Sequence, residues 1–382
     1  MGNKVKSLVE DAASFTKLLR SYKGVPKLET LILFVTSRCN AACETCFYHE
    51  ELNTPGDMSF DQIARMSATM PAICDLWLSG GEPTLRKDLV EIVSIFANNN
   101  QIRRVIIPTN GLIAARCVSV VERILSENES VEELYVNVAL DGIGKTHDRI
   151  RGVPGNWEKT LGTIAKLQPL KNKFGDRLRL NVNSVVCADN YAEMESLGEL
   201  LWKEQSLDGH YFNIIRGETK AGDGIKRVPS DALTGIYRYA AALTERYAGR
   251  MFASDAVAKR FVKKVAYVGT ILTHYRHQHE NAEKPTPWSF PCTAGETIAV
   301  VDYNGDVRAC ELLDKFASLS EFEYDFSALW NDSARTDELE KIDGGNSCWC
   351  THVCFIHSSL QHSGSGLLGD VSRNYLRRKS WK

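Results

Sequence analysis

The chain has 382 residues, 43% hydrophobic and 25% charged, a balance that excludes a wholly disordered chain, a collagen and a multi-span membrane protein. At ~150 residues per domain its length predicts two or three domains with a sizeable buried core. Forty-six Lys and Arg against 48 Asp and Glu leave a net charge of −2, so no bulk field draws the whole protein to nucleic acid or anionic lipid.

Six predicted strands run along the first part of the chain, at 31–36, 75–79, 104–108, 133–140, 177–186 and 210–215. Most are rich in β-branched and aromatic residues. Amphipathic helices lie between them. Residues 59–70 put Phe60, Ile63 and Met66 on one face, and residues 190–204 put Met194, Leu197 and Leu201 inward with Asn190 as the N-cap. Six βα units predict an α/β fold, a partial (β/α)6 barrel over 31–225 behind an N-terminal helical extension (1–30). Chemistry is then expected at the C-terminal ends of the strands. Residues 226–290 read as a helical linker ending in a Pro-rich break from 280 to 291. Residues 291–382 read as a small Cys-rich α+β domain with a basic tail.

Eleven cysteines stand out. The start, MGNKVKSLVEDAASF, shows no apolar signal core, and Lys6 departs from the myristoylation pattern. No apolar run approaches a membrane span. The expectation is a cytoplasmic protein in a reducing compartment, where clustered cysteines serve as metal ligands or catalytic groups. Cys39, Cys43 and Cys46 follow the first strand as C-x3-C-x2-C. Three thiolates on one loop suit an iron–sulfur cluster with one open iron, and zinc completed by His49 is the alternative. Cys74, Cys117 and Cys187 read as inert buried thiols.

The order of motifs on successive strand ends resembles that of the radical S-adenosylmethionine (SAM) superfamily, over about half of the chain. After the three cysteines come Gly80-Gly81-Glu82-Pro83, Thr109-Asn110-Gly111, Ala139-Leu140-Asp141-Gly142 and His147-Asp148-Arg149-Ile150-Arg151-Gly152. The resemblance implies that Cys39, Cys43 and Cys46 hold a 4Fe–4S cluster whose open iron is chelated by SAM. It implies that Gly80, Gly81 and Glu82 receive the SAM ammonium, with Asn110 and Asp141 in the same binding loops. Arg151, or Arg149, pairs with the SAM carboxylate, Asn183 reaches the ribose, and Ile214 and Ile215 flank the adenine. Ala139 stands where the family pattern has serine, which removes a hydroxyl that contacts SAM.

The C-terminal region carries a second set. Cys292, Gly305 and Cys310 are spaced C-x12-G-x4-C around a predicted hairpin at 302–306, and Cys348, Cys350 and Cys354 follow as C-x-C-x3-C. This resembles the twitch or shortened SPASM auxiliary-cluster domain. The implied ligands of one auxiliary 4Fe–4S cluster are Cys292, Cys310, Cys350 and Cys354, with Cys348 as rival to Cys350, and a zinc ribbon is the alternative. Glu311 stands where some SPASM dehydrogenases place a substrate base, and a solvated or paired carboxylate is its other reading. His274, His277 and His279 read as a solvated loop, because their spacing does not share one helix face. The basic tail, with Arg373, Arg377, Arg378, Lys379 and Lys382, reads as a solvated end, with contact to acidic lipid or nucleic acid as the alternative.

The implied chemistry is reductive cleavage of SAM, with one electron from a donor such as flavodoxin or ferredoxin, and hydrogen abstraction from the substrate. The auxiliary cluster would accept the product radical's electron, a net two-electron oxidation. A small molecule (a sugar, cyclitol or lipid-linked precursor) is the favoured substrate, because only about 30 residues precede the first strand and leave no room for a peptide-recognition domain. Radical maturation of a peptide or protein side chain is the alternative, and a SAM-free electron carrier is a third. No nucleic-acid partner is expected.

Overall fold

A computed structural model describes residues 26–284, 286–343 and 350–379. Most of the predicted N-terminal extension and Cys348 lie outside the described residues. The strands are β1 (Thr30–Phe34), β2 (Asp75–Ser79), β3 (Arg104–Thr109), β4 (Glu133–Ala139), β5 (Leu178–Val186) and β6 (Gly209–Ile214), each within two residues of its predicted ends. The intervening helices are α1 (Phe60–Thr69), α2 (Leu89–Asn100), α3 (Ala114–Glu127), α4 (Lys145–Arg151), α5 (Asn156–Phe174) and α6 (Met194–Glu204). Two long helices, α7 (Ser230–Met251) and α8 (Val257–Glu283), precede β7 (Ile298–Val301), β8 (Asp306–Arg308) and β9 (Ala317–Ser318). Helices α9 (Phe326–Trp330), α10 (Ser333–Asp343), α11 (Val353–His362) and α12 (Val371–Leu376) complete the described chain. Among the described residues no helix is long and apolar enough to cross a membrane.

One sheet takes every strand, in the order β6-β5-β4-β3-β2-β1-β7-β8-β9. The first seven are mutually parallel, so their C-terminal ends and the loops after them lie along one rim. The Cys-rich region continues the barrel sheet: β7 pairs with β1, Leu33 opposite Val301, and β8 returns antiparallel through the predicted turn, where Gly305 takes a φ of 89°. Strand β1 is buried on both faces, as its unbroken apolar run requires. Leu31 and Leu33 join the core under the barrel helices, whereas Ile32 and Phe34 join Val300, Phe355, Ile356 and Leu360 in a second core with the C-terminal lobe.

Local signals explain several element ends. Ser59 caps α1 in a capping box with Gln62. Asn190 does not cap α6. Its side chain donates to the Asp141 and Val185 carbonyls and accepts from Cys187 N, joining the ends of β4 and β5. The histidine run is not a solvated loop, because α8 continues through Glu283 and buries His274 and His277. Their rings pack on His357 and Phe290 respectively, so imidazoles complete an apolar face that hydropathy alone reads as polar.

A chain ending at residue 290 would leave β1 an open edge, with Ile32 and Phe34 uncovered. It is expected to lose most of its soluble yield and to aggregate in size-exclusion chromatography. A soluble monomeric product would show that the barrel folds without the lobe.

Candidate active site

The loop after β1 is anchored before its cysteines begin. Asp57 accepts from Thr36 Oγ1 and from Ser37 N, and Asn53 accepts from Cys39 N at 3.0 Å. Its far side is held by two other loops. Ala42 N donates to Arg151 O at 3.2 Å and Glu44 N to Ile150 O at 2.8 Å, while Lys220 N and Ala221 N, beyond β6, donate to Cys46 O and Glu44 O. Gly152 permits this approach, since with φ of 65° any Cβ would lie 2.6 Å from Ala42 O. Cys39, Cys43 and Cys46 share this clamped loop. Burial pushes all three thiols up, Cys46 to about 11, and the Arg151 guanidinium opposes the shift. Three soft donors beside a fixed cation suit an anionic iron–sulfur group, whose iron replaces the protons.

The next loop lies directly on this one. A Cβ on Gly80 would fall 2.3 Å from Thr36 O, and one on Gly81 2.2 Å from Arg38 O. Gly81 N and Glu82 N donate to those same two carbonyls. Glu82 is buried and its carboxylate is filled. Oε1 accepts from Thr84 N, Thr84 Oγ1 and Thr109 Oγ1, and Oε2 accepts from Asn110 N at 2.7 Å. Burial raises its pKa, and these donors oppose the rise. Asn110 extends the link by donating to Asn40 Oδ1 at 2.8 Å. Glu82 and Asn110 thus join the loops after β1, β2 and β3.

Asp141 does the same for β4 and β5. Its carboxylate accepts from Val185 N and from Arg151 Nη1 at 3.0 Å, and its own N–H is received by His147 Nδ1. Arg151 is therefore held between Asp141 and the Cys39 and Cys43 thiols, with a buried Nε that makes no hydrogen bond. Arg149 points away to Asp189 at the surface. Asn183 lies opposite Ala139 in the β4–β5 register, and its buried Oδ1 has no protein partner. The two glycine approaches, the unpartnered Asn183 oxygen and the unpartnered Arg151 nitrogen form a polar cradle beside the three thiols, which fits a polar cofactor such as SAM. Ile215 packs in a small apolar cluster with Ile150, Cys187 and Ile225.

On the lobe side, Cys292, Cys310, Cys350 and Cys354 all border the second core, next to Tyr48 of the first cysteine loop. Trp288 Nε1 donates to Cys350 O, and His352 N donates to Cys350 Sγ at 3.4 Å. Burial pushes the Cys354 thiol up, and the neighbouring Glu311 adds to it. Thiol donors such as these four are the ligand type an iron–sulfur cluster takes. Among the described residues no three His, Cys, Asp or Glu side chains are grouped to hold a single ion.

Glu311, beside Cys310, is buried against His352 Nε2, and Arg216 Nη2 lies 3.7 Å from the same carboxylate oxygen. Burial raises the Glu311 pKa, but His352 and Arg216 outweigh it and hold the carboxyl below the usual carboxylate range. Burial and then Arg216 push His352 down, while Glu311 opposes the shift, and its Nε2 meets the Glu311 carboxylate. The Arg216 guanidinium also sits 5.2 Å from the Phe47 ring centroid, directly after Cys46. Here the first cysteine loop, the end of β6 and the lobe meet. Arg216, His352 and Phe47 escaped the sequence reading, although the C-x-H-x-C pattern and the position of Arg216 just past a strand end would have found the first two.

Residues 33–182 match the model of the Radical SAM superfamily. Over 82% of this chain and 75% of its own, an Fe-coproporphyrin III synthase of Methanosarcina barkeri is 25% identical. An AdoMet-dependent heme synthase of Nitratidesulfovibrio vulgaris is 23% identical over 76% of each chain. Among solved structures, native anSMEcpe with bound AdoMet and Cp18Cys peptide shares the fold, with a TM-score of 0.56 and 15% identity over 91% of this chain and 99% of that one.

Burial holds His147 down to about 4 and His210 to about 3. Both are neutral when folded, whereas the unfolded chain protonates them near 6.5. Their stabilising contribution is complete above that value and is lost as pH falls through it toward the folded pKa. Urea denaturation is expected to show stability dropping between about pH 7 and pH 5, with a shallower fall in His147→Gln. A flat profile would contradict the buried neutral imidazoles.

Proposed function

We propose that this radical SAM enzyme carries out a two-electron oxidation of an anionic small molecule bound between the barrel rim and the C-terminal lobe. The observation that carries the reading is the placement of Glu311 between Arg216 of the rim and His352 of the lobe, beside the Cys354 thiol. Cys39, Cys43 and Cys46 would hold a 4Fe–4S cluster, which would supply the electron for reductive cleavage of SAM.

The remaining work falls to side chains of this chain. The loop at Gly80 and Gly81 and the unpartnered oxygen of Asn183 hold SAM, while Arg151 offers a fixed positive charge to its carboxylate. Glu82, whose four accepted hydrogen bonds leave it little capacity for the ammonium, keeps three loops in register, and backbone carbonyls of the glycine loop take the larger share of that ammonium. Glu311 takes the proton that leaves with the second electron, and His352 orients it by donating from Nε2. Arg216 pairs with an anionic group of the substrate, as a guanidinium beside an aromatic face is suited to do. Cys292, Cys310, Cys350 and Cys354 would hold an auxiliary cluster, which would supply an electron acceptor. Relatives spanning about three quarters of this chain are named for heme and coproporphyrin synthesis, which favours a carboxylate-bearing tetrapyrrole or comparable small acid over a peptide.

Anaerobic reconstitution is expected to give about eight irons per chain, two 4Fe–4S clusters. Cys39→Ala should lose about half the iron and all 5′-deoxyadenosine formation, and Cys354→Ala about half the iron with SAM cleavage retained. About four irons in the unaltered protein would remove the electron acceptor. With a panel of tetrapyrrole acids, sugars and peptides, Glu311→Gln should retain SAM cleavage and lose oxidised product, and Arg216→Gln should raise KM more than it lowers kcat. Stimulation of SAM cleavage by peptides alone would overturn the small-molecule reading.

A further inference from the structure

The exposed apolar side chains are unevenly placed. Among the described residues, the large hydrophobics left exposed are Ile113, Val257, Phe261, Leu312, Leu368 and Leu376. Three of the most exposed, Val257 (82%), Leu376 (77%) and Phe261 (59%), belong to one surface. Val257 and Phe261 are one turn apart on the same face of α8, at its N-terminal end. Helix α12 packs along α8: a Cβ at Gly269 would meet Val371 O at 2.5 Å, and the Phe261 and Tyr375 rings lie 6.1 Å apart. Leu376 follows Tyr375 directly at the exposed end of α12, the helix that packs along α8.

Basic residues surround these three. The first two turns of α8 carry Lys259, Arg260, Lys263 and Lys264 with no acid, and residues 371–379 carry Arg373, Arg377, Arg378 and Lys379 with no acid. Among the described residues, Asp255 pairs with Lys259 and Lys263, Asp370 with Arg373, and Glu245 with Arg378. The two segments together carry eight bases and no acid of their own, on a chain whose net charge is −2. Apolar side chains ringed by fixed cations match the interface of an anionic bilayer, where the apolar groups enter the headgroup boundary and the cations meet phosphates.

We infer that the face built by the N-terminal end of α8 and by α12 docks on the surface of an anionic phospholipid membrane. The occupant is argued from charge: a second copy of this positive surface would repel it, whereas anionic headgroups neutralise it. The docking is peripheral and reversible, and it is independent of the reaction at the barrel rim. Neither α8's first turns nor α12 contributes a residue to the site described above.

The test is flotation of the full-length protein with phosphatidylcholine vesicles and with vesicles of phosphatidylcholine and phosphatidylglycerol. Binding to the anionic vesicles alone is expected, weakening with added salt. The double variant Phe261→Ser/Leu376→Ser and the charge variant Arg377→Glu/Lys379→Glu should each lose most of this binding. Both should keep the unaltered circular dichroism spectrum, iron content and 5′-deoxyadenosine formation. Equal binding to neutral vesicles, or variants that float like the unaltered protein, would overturn the inference. So would an unaltered protein that binds no vesicles. If light scattering then gave a dimer that Phe261→Ser/Leu376→Ser dissociates, the face would belong between two copies instead.

Discussion

Strand β1 is the element on which the two halves of the molecule depend. It is buried on both faces and hydrogen-bonded on both edges, to β2 on one side and to β7 on the other. Alternate residues of this five-residue strand feed two different cores. Its C-terminal end releases the loop of Cys39, Cys43 and Cys46. The position of that loop is consequently fixed by the barrel and by the C-terminal lobe together. Backbone in a doubly covered parallel strand has no solvent-facing edge along which to slide.

From that strand outward, the rim is organised by buried carboxylates. Glu82 accepts from Thr109 and Asn110 at the end of β3, and Asp141 accepts from Val185 of β5 and holds Arg151 against the cysteine loop. A buried carboxylate is costly unless its lone pairs are filled. Filling them here pins loops that have no regular structure of their own. The same logic accounts for Asp57 beneath Thr36 and Ser37, and for Asp148, which accepts from Gly155 N and Trp157 N where α5 begins. Loops held this way present their polar groups at defined positions.

The lobe acts on the rim by more than its cysteines. Tyr48 donates to Asp302 and Tyr303 donates to Glu51, so the first cysteine loop is hydrogen-bonded to the β7–β8 hairpin. Glu311 and Arg216, distant in sequence, then face each other across the same junction. The pairing of Arg216 with Glu311 is a property of this junction, and neither half contains it alone.

Much of this was legible in the chain. Strand positions followed from β-branched runs, because period-two burial leaves its mark on composition. The cysteine loop followed from its own spacing, and the Gly80-Gly81-Glu82 turn and Asp141 from the resemblance of their order on successive strand ends to a family pattern. Tertiary structure alone decided the pairing of β7 with β1, since a parallel neighbour of a buried strand has no local signature. It decided that Asn190 joins two strand ends where its position promised a cap, because a side-chain amide takes whichever backbone groups the fold brings near. It placed the histidines of α8 in the interior, where neighbouring rings make burial of neutral imidazole favourable. It also brought Arg216 and His352 to Glu311, a convergence of residues far apart in sequence that only folding creates.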